Sequence, residues 1–171
     1  MKKMENQPAG LYVHIPFCRM KCLYCDFYSI TSTSVATEWL HALDQEAALY
    51  TDRFSSFDTL YLGGGTPTLL TEKELGHLVE SLFGHFRIAR EAEVSLEANP
   101  DDITAEKLQT CEELGFNRIS LGVQSMDDRD LRFLGRRHTA GQAARAMDLI
   151  RKSGLSQFGI DLIYGLPGQT E

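Results

Sequence analysis

The chain has 171 residues, of which 43% are hydrophobic and 24% are charged. These values are typical of one globular domain and exclude a disordered or collagen-like protein. The formal net charge of −7 argues against a broad nucleic-acid-binding surface. No apolar run approaches the roughly 18 residues of a transmembrane segment, and residues 1–10 lack the apolar core of a signal peptide. We therefore expect a cytoplasmic chain without a transmembrane segment, whose thiols are reduced.

Five short apolar runs alternate with helical patterns along the chain. The predicted strands are residues 11–15, 59–62, 93–97, 118–121 and 158–163. The predicted helices are residues 37–50, 71–83, 104–114, 127–134 and 141–153. Thr71 and Glu74 form a capping box at the start of the second helix. The second helix is predicted to end at Gly84, and Gly115 and Gly154 are predicted to end the third and fifth helices in left-handed caps.

The alternation of strands and helices predicts an α/β fold with parallel strands. An open doubly wound sheet and a β/α barrel both fit this alternation. A closed eight-fold barrel takes about 250 residues, so this chain is long enough only for a partial barrel. In either architecture, ligands gather at the carboxyl ends of the strands. The final residues, 165–171, read as a loop that opens a helix, so we expect a chain truncated at its C-terminus.

Three cysteines stand in one loop directly after the first predicted strand. Cys18, Cys22 and Cys25 have the spacing C-x3-C-x2-C, which lets a tight loop bring three thiolates to one centre. Three ligands to a 4Fe-4S cluster leave one iron free for a small molecule, whereas ordinary electron-transfer clusters use four cysteines. Zinc is the alternative, with His14 or Asp26 as its fourth ligand. The loop therefore predicts a metal centre, and its context favours the cluster.

Polar and glycine residues stand at the ends of the later strands. Gly64, Gly65 and Thr66 follow the second strand, where glycine allows a positive φ and exposed N–H groups can bind a carboxylate. The segment is neither a G-x-G-x-x-G fingerprint nor a P-loop. Glu97 and Asp161 lie in otherwise apolar strands, where a carboxylate is unfavourable unless it is paired or directed at a ligand. These residues predict a ligand site beside the cysteine loop.

The cysteine loop and four later motifs resemble the radical S-adenosylmethionine (SAM) superfamily. The resemblance is strongest to the branch that contains oxygen-independent coproporphyrinogen III oxidase and the HemW family of haem chaperones. It covers nearly the whole chain from Leu11 onward. Its motifs are residues 12–25, 63–68, 97–100, 122–124 and 161–167.

The resemblance implies a partial parallel (β/α) barrel, of which five of six strands are present, formed by an incomplete core domain at residues 11–171. It assigns residues 1–10 to an N-terminal tail, and it implies that the C-terminal domain of the family is absent from this chain. The three cysteines would hold the cluster, which reduces SAM and releases an adenosyl radical. An electron donor to the cluster is implied as a partner. The implied SAM-binding or cluster-adjacent residues are Tyr12, Tyr24, Gly64, Gly65, Thr66, Glu97, Gln124, Arg136 and Asp161.

One position separates the two branches. The oxidase branch carries an additional cysteine two positions after the third cluster ligand, and this chain has Phe27 there. The segment 134–139 also looks like the chaperone branch. The resemblance therefore implies a HemW-like chaperone that takes haem as cargo and delivers it to haem-acceptor apoproteins. Coproporphyrinogen oxidase is the alternative, and a zinc-binding structural domain is the third hypothesis.

The remaining chemistry-bearing residues have plainer interpretations. Cys111 shares a helix face with Leu108 and is predicted to pack in the core. Trp39 and the phenylalanines are also predicted to be core residues. His14 fits either a hydrogen bond to a ligand or a satisfied structural role, and His138 has no assigned role.

Overall fold

The computed structural model of the chain describes residues 9–54 and 56–169. The strands within this part are β1 (Ala9–Ile15), β2 (Phe57–Gly64), β3 (Ile88–Ala98), β4 (Arg118–Gln124) and β5 (Gln157–Leu162). The α-helices are α1 (Ala36–Ala48), α2 (Glu72–His85), α3 (Ala105–Glu113), α4 (Asp128–Phe133) and α5 (Ala140–Lys152). Short 3₁₀ helices, Pro67–Leu69 and Pro100–Asp102, come soon after β2 and β3. All of the predicted strands and helices are confirmed as elements. Most of the predicted N-terminal tail, residues 1–8, lies outside the described residues.

The strands form one five-stranded sheet in the order β1-β2-β3-β4-β5. Every neighbouring pair is parallel. Because parallel strands point the same way, their carboxyl ends lie at one edge of the sheet. This arrangement confirms the predicted α/β fold with a parallel sheet, and it puts the five sequence motifs at a common edge.

The two faces of the sheet differ in polarity. Side chains alternate between the faces of a strand, and on β1 the buried Val13 and Ile15 point toward the helices. The helix-covered face has two apolar clusters, one between β1–β3 and helices α1 and α2, the other between β4 and helices α3 and α5. Polar side chains occupy the opposite face, which is the inner face of the partial barrel: Tyr12, His14, Tyr61, Glu97, Ser120 and Asp161.

The predicted helix end at Gly84 and the predicted left-handed cap at Gly154 are wrong. The Thr71–Glu74 capping box is present, and Gly115 has a φ of 85°, as expected of a left-handed cap. Helix α2, however, continues through Gly84 to His85 and ends where Phe86, whose side chain is buried, takes an extended backbone conformation. Gly154 does not take a positive φ either. Helix α5 ends at Lys152, before Gly154, whose N–H donates to Glu112 Oε1 at 2.8 Å.

The prediction that the phenylalanines are core residues holds only in part. The buried ones are Phe17, Phe57, Phe86 and Phe116, whereas Phe27, Phe54, Phe83 and Phe133 are exposed. Trp39 is half-buried and packs edge-on against Phe17, with ring centroids 5.6 Å apart. No helix in the described ranges is both long and apolar enough to cross a membrane.

Candidate cofactor-binding site

The cysteine loop is anchored at both of its ends. Phe17, which is fully buried, pairs with Ile30 in a parallel bridge. The Cys18 N–H donates to the Ile30 carbonyl at 2.9 Å, and the Ile30 N–H donates to the Pro16 carbonyl at 2.7 Å. The loop thus leaves β1 and returns to it with its base closed by backbone hydrogen bonds.

A cavity of about 330 Å³ lies between this loop and the carboxyl ends of the strands. Its lining brings together residues that are up to 145 positions apart in the sequence, from Cys18 to Ile163. Of the residues predicted for the site, all except Tyr12 line this cavity: Cys18, Cys22, Tyr24, Cys25, Gly64, Gly65, Thr66, Glu97, Gln124, Arg136 and Asp161. The lining also contains Asn99, Ser120 and Phe27, which were not predicted as site residues.

We call the part of the lining formed by the ends of β2 and β3 the β2–β3 wall. Glu97 is its central residue, and both of its carboxylate oxygens are used within the protein. Oε1 accepts a hydrogen bond from the Tyr61 hydroxyl at 2.8 Å, and Oε2 accepts one from the Gly64 N–H at 3.0 Å. Gly64 has a φ of 107°, a conformation that only glycine adopts without strain. The carboxylate is therefore fixed in position before any ligand binds.

Gly65 is required in this wall for a different reason. A Cβ at this position would lie 2.5 Å from the Phe17 carbonyl oxygen and 2.9 Å from that of Ile15. The Gly65 N–H donates to the Ile15 carbonyl at 2.8 Å, and the Thr66 N–H donates to the Phe17 carbonyl at 2.6 Å. The wall is thus joined to the base of the cysteine loop by backbone contacts that leave no room for a side chain.

A chain of hydrogen bonds connects two of the cysteines through the wall. Thr66 Oγ1 donates toward Cys18 Sγ at 3.9 Å and accepts from Asn99 Nδ2 at 3.0 Å. Asn99 Oδ1 in turn accepts from Arg136 Nη2. Arg136 Nη1 donates to Cys22 Sγ at 3.4 Å. The network therefore supplies a hydrogen-bond donor to the sulfur of each of two cysteines.

Arg136 is held by more partners than the sequence indicated. Besides Cys22 and Asn99, it donates to the Gly122 carbonyl at 2.6 Å and to the Tyr24 hydroxyl at 3.3 Å, while its buried Nε has no partner. Arg137 pairs with Asp101 just behind it. Asn99, the centre of the network, was missed as a site residue. The signal available was its place in the motif at residues 97–100, two positions after Glu97.

The ends of β4 and β5 form the opposite side of the cavity, which we call the β4–β5 wall. Asp161 is exposed, and its carboxylate accepts from one donor, Ser120 Oγ, at 3.2 Å to Oδ2 and 3.5 Å to Oδ1. Gln124 is half-buried and lies at a bulge in the pairing of β4 with β5. Its Nε2 lies close to Gly122, where an added Cβ would be 3.1 Å from it. This wall has fewer internal hydrogen bonds than the β2–β3 wall.

Tyr12 and His14 lie on β1, next to the cavity rather than in its lining. The Tyr12 ring stacks on Tyr61, with ring centroids 6.1 Å apart and planes inclined by 27°. His14 Nδ1 lies 3.0 Å from the Tyr12 hydroxyl, and its Nε2 lies 2.9 Å from the Tyr28 carbonyl. Because a carbonyl only accepts, Nε2 carries the proton and Nδ1 accepts from Tyr12. His14 is therefore a satisfied structural histidine.

Burial keeps the phenols near the site protonated. It raises the pKa of Tyr24 to about 12. The pKa of Tyr61 is also raised, first by burial and then by its hydrogen bond to Glu97. Burial and the charge of Glu97 raise the pKa of Tyr12 as well. At neutral pH these side chains act as neutral hydrogen-bonding groups.

The donor set of the cysteine loop fits a 4Fe-4S cluster. Across the described residues, no three Cys, His, Asp or Glu side chains form a group that could hold one metal ion. Of the two fourth zinc ligands proposed from the sequence, His14 or Asp26, His14 has both nitrogens hydrogen-bonded. Cys18, Cys22 and Cys25 are free, half-buried and face one cavity. A cluster places each ligand on a different iron, so its sulfurs are spread more widely than the ligands of one ion.

The two other residues considered in the sequence are buried. Cys111 is fully buried in the apolar core, as predicted, and burial raises the pKa of its thiol to about 11. His138 is only 2% exposed. Its Nε2 donates to the Val123 carbonyl at 3.0 Å, and its buried Nδ1 has no partner. Burial, and after it the charge of the neighbouring Arg136, lower the pKa of His138 to about 4.

Comparison with known proteins gives consistent matches. The family model of the radical SAM superfamily matches residues 12–171. Haem chaperone HemW of Mycobacterium tuberculosis (strain CDC 1551 / Oshkosh) is 40% identical over 174 residues, which cover 98% of this chain and 45% of that protein. Oxygen-independent coproporphyrinogen III oxidase of Salmonella typhimurium is 37% identical over 174 residues, covering 98% of this chain and 38% of that protein.

A solved structure also matches nearly the whole chain. Coproporphyrinogen III oxidase (HemN) from Escherichia coli, described as a radical SAM enzyme, superposes with a TM-score of 0.89 at 34% identity. The match covers 98% of this chain and 40% of that structure. The sheet is thus that of a radical SAM partial barrel. The chain spans less than half the length of these relatives.

Proposed function

The chain belongs to the radical SAM superfamily, and from this premise we propose that it is part of a HemW-like haem chaperone. In this proposal Cys18, Cys22 and Cys25 hold a 4Fe-4S cluster, and SAM occupies the adjoining cavity. The whole protein takes haem as cargo and passes it to haem-acceptor apoproteins in the cytoplasm. An electron donor reduces the cluster.

The residues of the cavity are suited to binding the polar groups of SAM. When bound, the cluster supplies the single electron needed to cleave SAM reductively. Glu97, fixed by Tyr61 and Gly64, offers carboxylate lone pairs to an ammonium group. Asp161 is exposed to the cavity and can accept hydrogen bonds from ribose hydroxyls. Donors on the sulfurs of Cys18 and Cys22, from Thr66 and Arg136, favour the reduced and more negative state of a cluster.

The observation that carries the choice of a chaperone is Phe27. It stands where the oxidase branch has its additional cysteine, lines the cavity and is 67% exposed. A phenyl ring has no ionisable proton and no sulfur, so it cannot replace a thiol in proton transfer or radical chemistry. The site therefore keeps the cluster and SAM residues but lacks this group.

Coproporphyrinogen III oxidase is the second candidate. The high structural similarity to the Escherichia coli oxidase favours it, as does the near-equal identity to the Salmonella relative. In that case propionate side chains of coproporphyrinogen would enter the cavity and lose hydrogen to the adenosyl radical.

The test uses the full-length protein, reconstituted anaerobically with iron and sulfide. We expect about four irons per chain, a Soret band on titration with haem, and no decarboxylation of coproporphyrinogen with SAM and a reductant. The variants Cys18→Ser, Cys22→Ser and Cys25→Ser should each lose the cluster, whereas Cys111→Ser, a matched control in the core, should retain it. Decarboxylation by the unmodified protein would establish the oxidase instead. A colourless protein with one zinc would refute both.

A further inference from the structure

The end of β4 contains a strained turn. Within residues 9–54 and 56–169, Gln124 is the one non-glycine residue with a positive φ, at 70°. The Ser125 N–H donates to the Val123 carbonyl at 2.9 Å, which closes a three-residue turn around Gln124. A γ-turn with a positive φ at its central residue is rare and strained. Such strain persists only where the surroundings fix it, and it concentrates at functional sites.

The surroundings hold this turn from three directions. His138 Nε2 donates to the Val123 carbonyl at 3.0 Å. The Ile163 N–H, just after β5, donates to the Gln124 carbonyl at 2.9 Å. Ser125 Oγ donates to Asp130 Oδ2 at 2.9 Å. Of these partners, His138 is the side chain that contacts the carbonyl closing the turn.

Burying His138 is unfavourable by itself. Its side chain is almost fully enclosed, and Nδ1 has no hydrogen-bond partner. An apolar residue of similar size would fill the same space without leaving a buried nitrogen unpaired. What an apolar residue cannot supply is the N–H donor to the Val123 carbonyl. The histidine is therefore explained by the turn rather than by packing.

The turn determines where the Gln124 side chain lies. In a regular strand, successive side chains alternate between faces, and the bulge between Gly122 and Gln124 interrupts this alternation. Gln124 consequently lines the cavity, where its Nε2 and the guanidinium of Arg136 both lie beside Gly122. A relaxed backbone at Gln124 would move this carboxamide away from its present place.

We propose that His138 is a positioning residue for SAM binding, which holds the strained turn and thereby keeps the Gln124 carboxamide in the cavity wall. The proposal rests on the proposed function, because it takes SAM as the ligand of that cavity. His138 contacts neither SAM nor the cluster and acts through Val123 and Gln124.

The test compares three substitutions in the full-length, cluster-loaded protein. His138→Leu removes the donor. In His138→Asn the amide is too short to reach the Val123 carbonyl. His138→Gln places an amide N–H near the position of Nε2. We expect SAM to bind at least tenfold more weakly to the Leu and Asn variants, and within about threefold of the unmodified affinity to the Gln variant.

The measurements are the dissociation constant of SAM by calorimetry and the change in the electron paramagnetic resonance spectrum of the reduced cluster when SAM is added. Iron content and the spectrum without SAM should be the same in all variants. A general structural defect would change both. His85→Leu, on helix α2, is the matched control and should bind SAM normally.

The outcomes separate this inference from the proposed function. If the unmodified protein does not bind SAM, the proposed function fails. If it binds SAM and the Leu and Asn variants bind equally well, the role of His138 is refuted. If the Leu variant does not fold, the Asn variant decides, because its polar side chain is too short to reach the Val123 carbonyl. Failure of the Gln variant to restore binding would also overturn the inference.

Discussion

The two walls of the cavity are held in different ways. On the β2–β3 wall, Glu97 has both oxygens hydrogen-bonded, and Gly65 contacts the backbone of the cysteine loop without space for a side chain. On the β4–β5 wall, Asp161 is exposed with one donor, and Gln124 depends on a strained turn. The first wall is rigid because its own backbone and side chains fix it. The second depends on contacts from neighbouring segments, such as those of His138 and Ile163 with its turn.

The largest expected effect tests the rigidity of the β2–β3 wall. Gly65→Ala places a methyl group against two backbone carbonyls, which cannot move aside as a side chain can. We expect the free energy of unfolding to fall by about 3 kcal/mol, measured by urea denaturation. A loss below about 0.5 kcal/mol would mean that this wall relaxes easily, and the contrast between the walls would be lost.

The second effect compares the two carboxylates directly. In Glu97→Gln, an amide NH₂ must face either the Gly64 N–H or the Tyr61 hydroxyl, so the fixed acceptor geometry is lost. We expect SAM affinity to fall about 100-fold, or about 2.8 kcal/mol. Asp161→Asn should reduce it only about tenfold, because this side chain is solvated in the free protein. Calorimetric titration checks both, and equal losses would contradict the comparison.

The third effect concerns the support of the β4–β5 wall by His138. Its pKa of about 4 lies below the ordinary value of 6.5, so between these values the unfolded chain binds more protons than the folded one. The free energy of unfolding should therefore fall on acidification, by about 2 kcal/mol from pH 7 to pH 5. Arg136 and Arg137 face the ring and oppose its protonation, whereas Asp128 favours it.

His138→Gln is the matched control for this pH dependence. The carboxylates shared by both proteins cancel when the two denaturation series are subtracted. In the variant, the free energy of unfolding should lose the extra dependence on pH between pH 7 and pH 5. Identical slopes would show that the pKa of His138 is the same in the folded and the unfolded protein.

The smallest expected effect is an increase in stability, at a position outside both walls. Gly84 is within helix α2, and an added Cβ meets nothing within 4 Å. Gly84→Ala should raise the free energy of unfolding by about 1 kcal/mol, since alanine is the better helix former. Urea denaturation of the Gly84→Ala and Gly65→Ala variants should then show that the same substitution has opposite effects in a helix and in the β2–β3 wall. A destabilised variant would contradict this account.

The sequence was informative where one local pattern determines the result. The strands follow from apolar runs, and the capping box at Thr71 requires only residues three positions apart. The cysteine loop and Gly64–Gly65 are recognisable because their chemistry is concentrated in a few consecutive positions. For this reason local patterns predict the fold and the cysteine and glycine residues of the cavity lining, whereas Tyr24, Gln124 and Arg136 are implied by the family resemblance.

The remainder depends on contacts between distant parts of the chain. Asn99 joins Thr66 to Arg136, which lies 37 positions away, and no local pattern reports such a partnership. Gly84 and Gly154 resemble helix caps, but Phe86 and the hydrogen bond to Glu112 determine the backbone there. The positive φ of Gln124 is equally invisible, because glutamine has no preference for that conformation. Tertiary contacts override local propensity at these positions.

The sequential order of the sheet has a consequence for how the protein folds. Each strand pairs with the one synthesised just before it, so the sheet can grow in the direction of translation. The cysteine loop follows the first strand, whereas Arg136, which donates to Cys22, is made more than a hundred residues later. The thiols are thus present on the ribosome before the guanidinium that covers one of them. Cluster insertion during synthesis would meet a Cys22 thiol without this donor, and completion of the segment after β4 would add it.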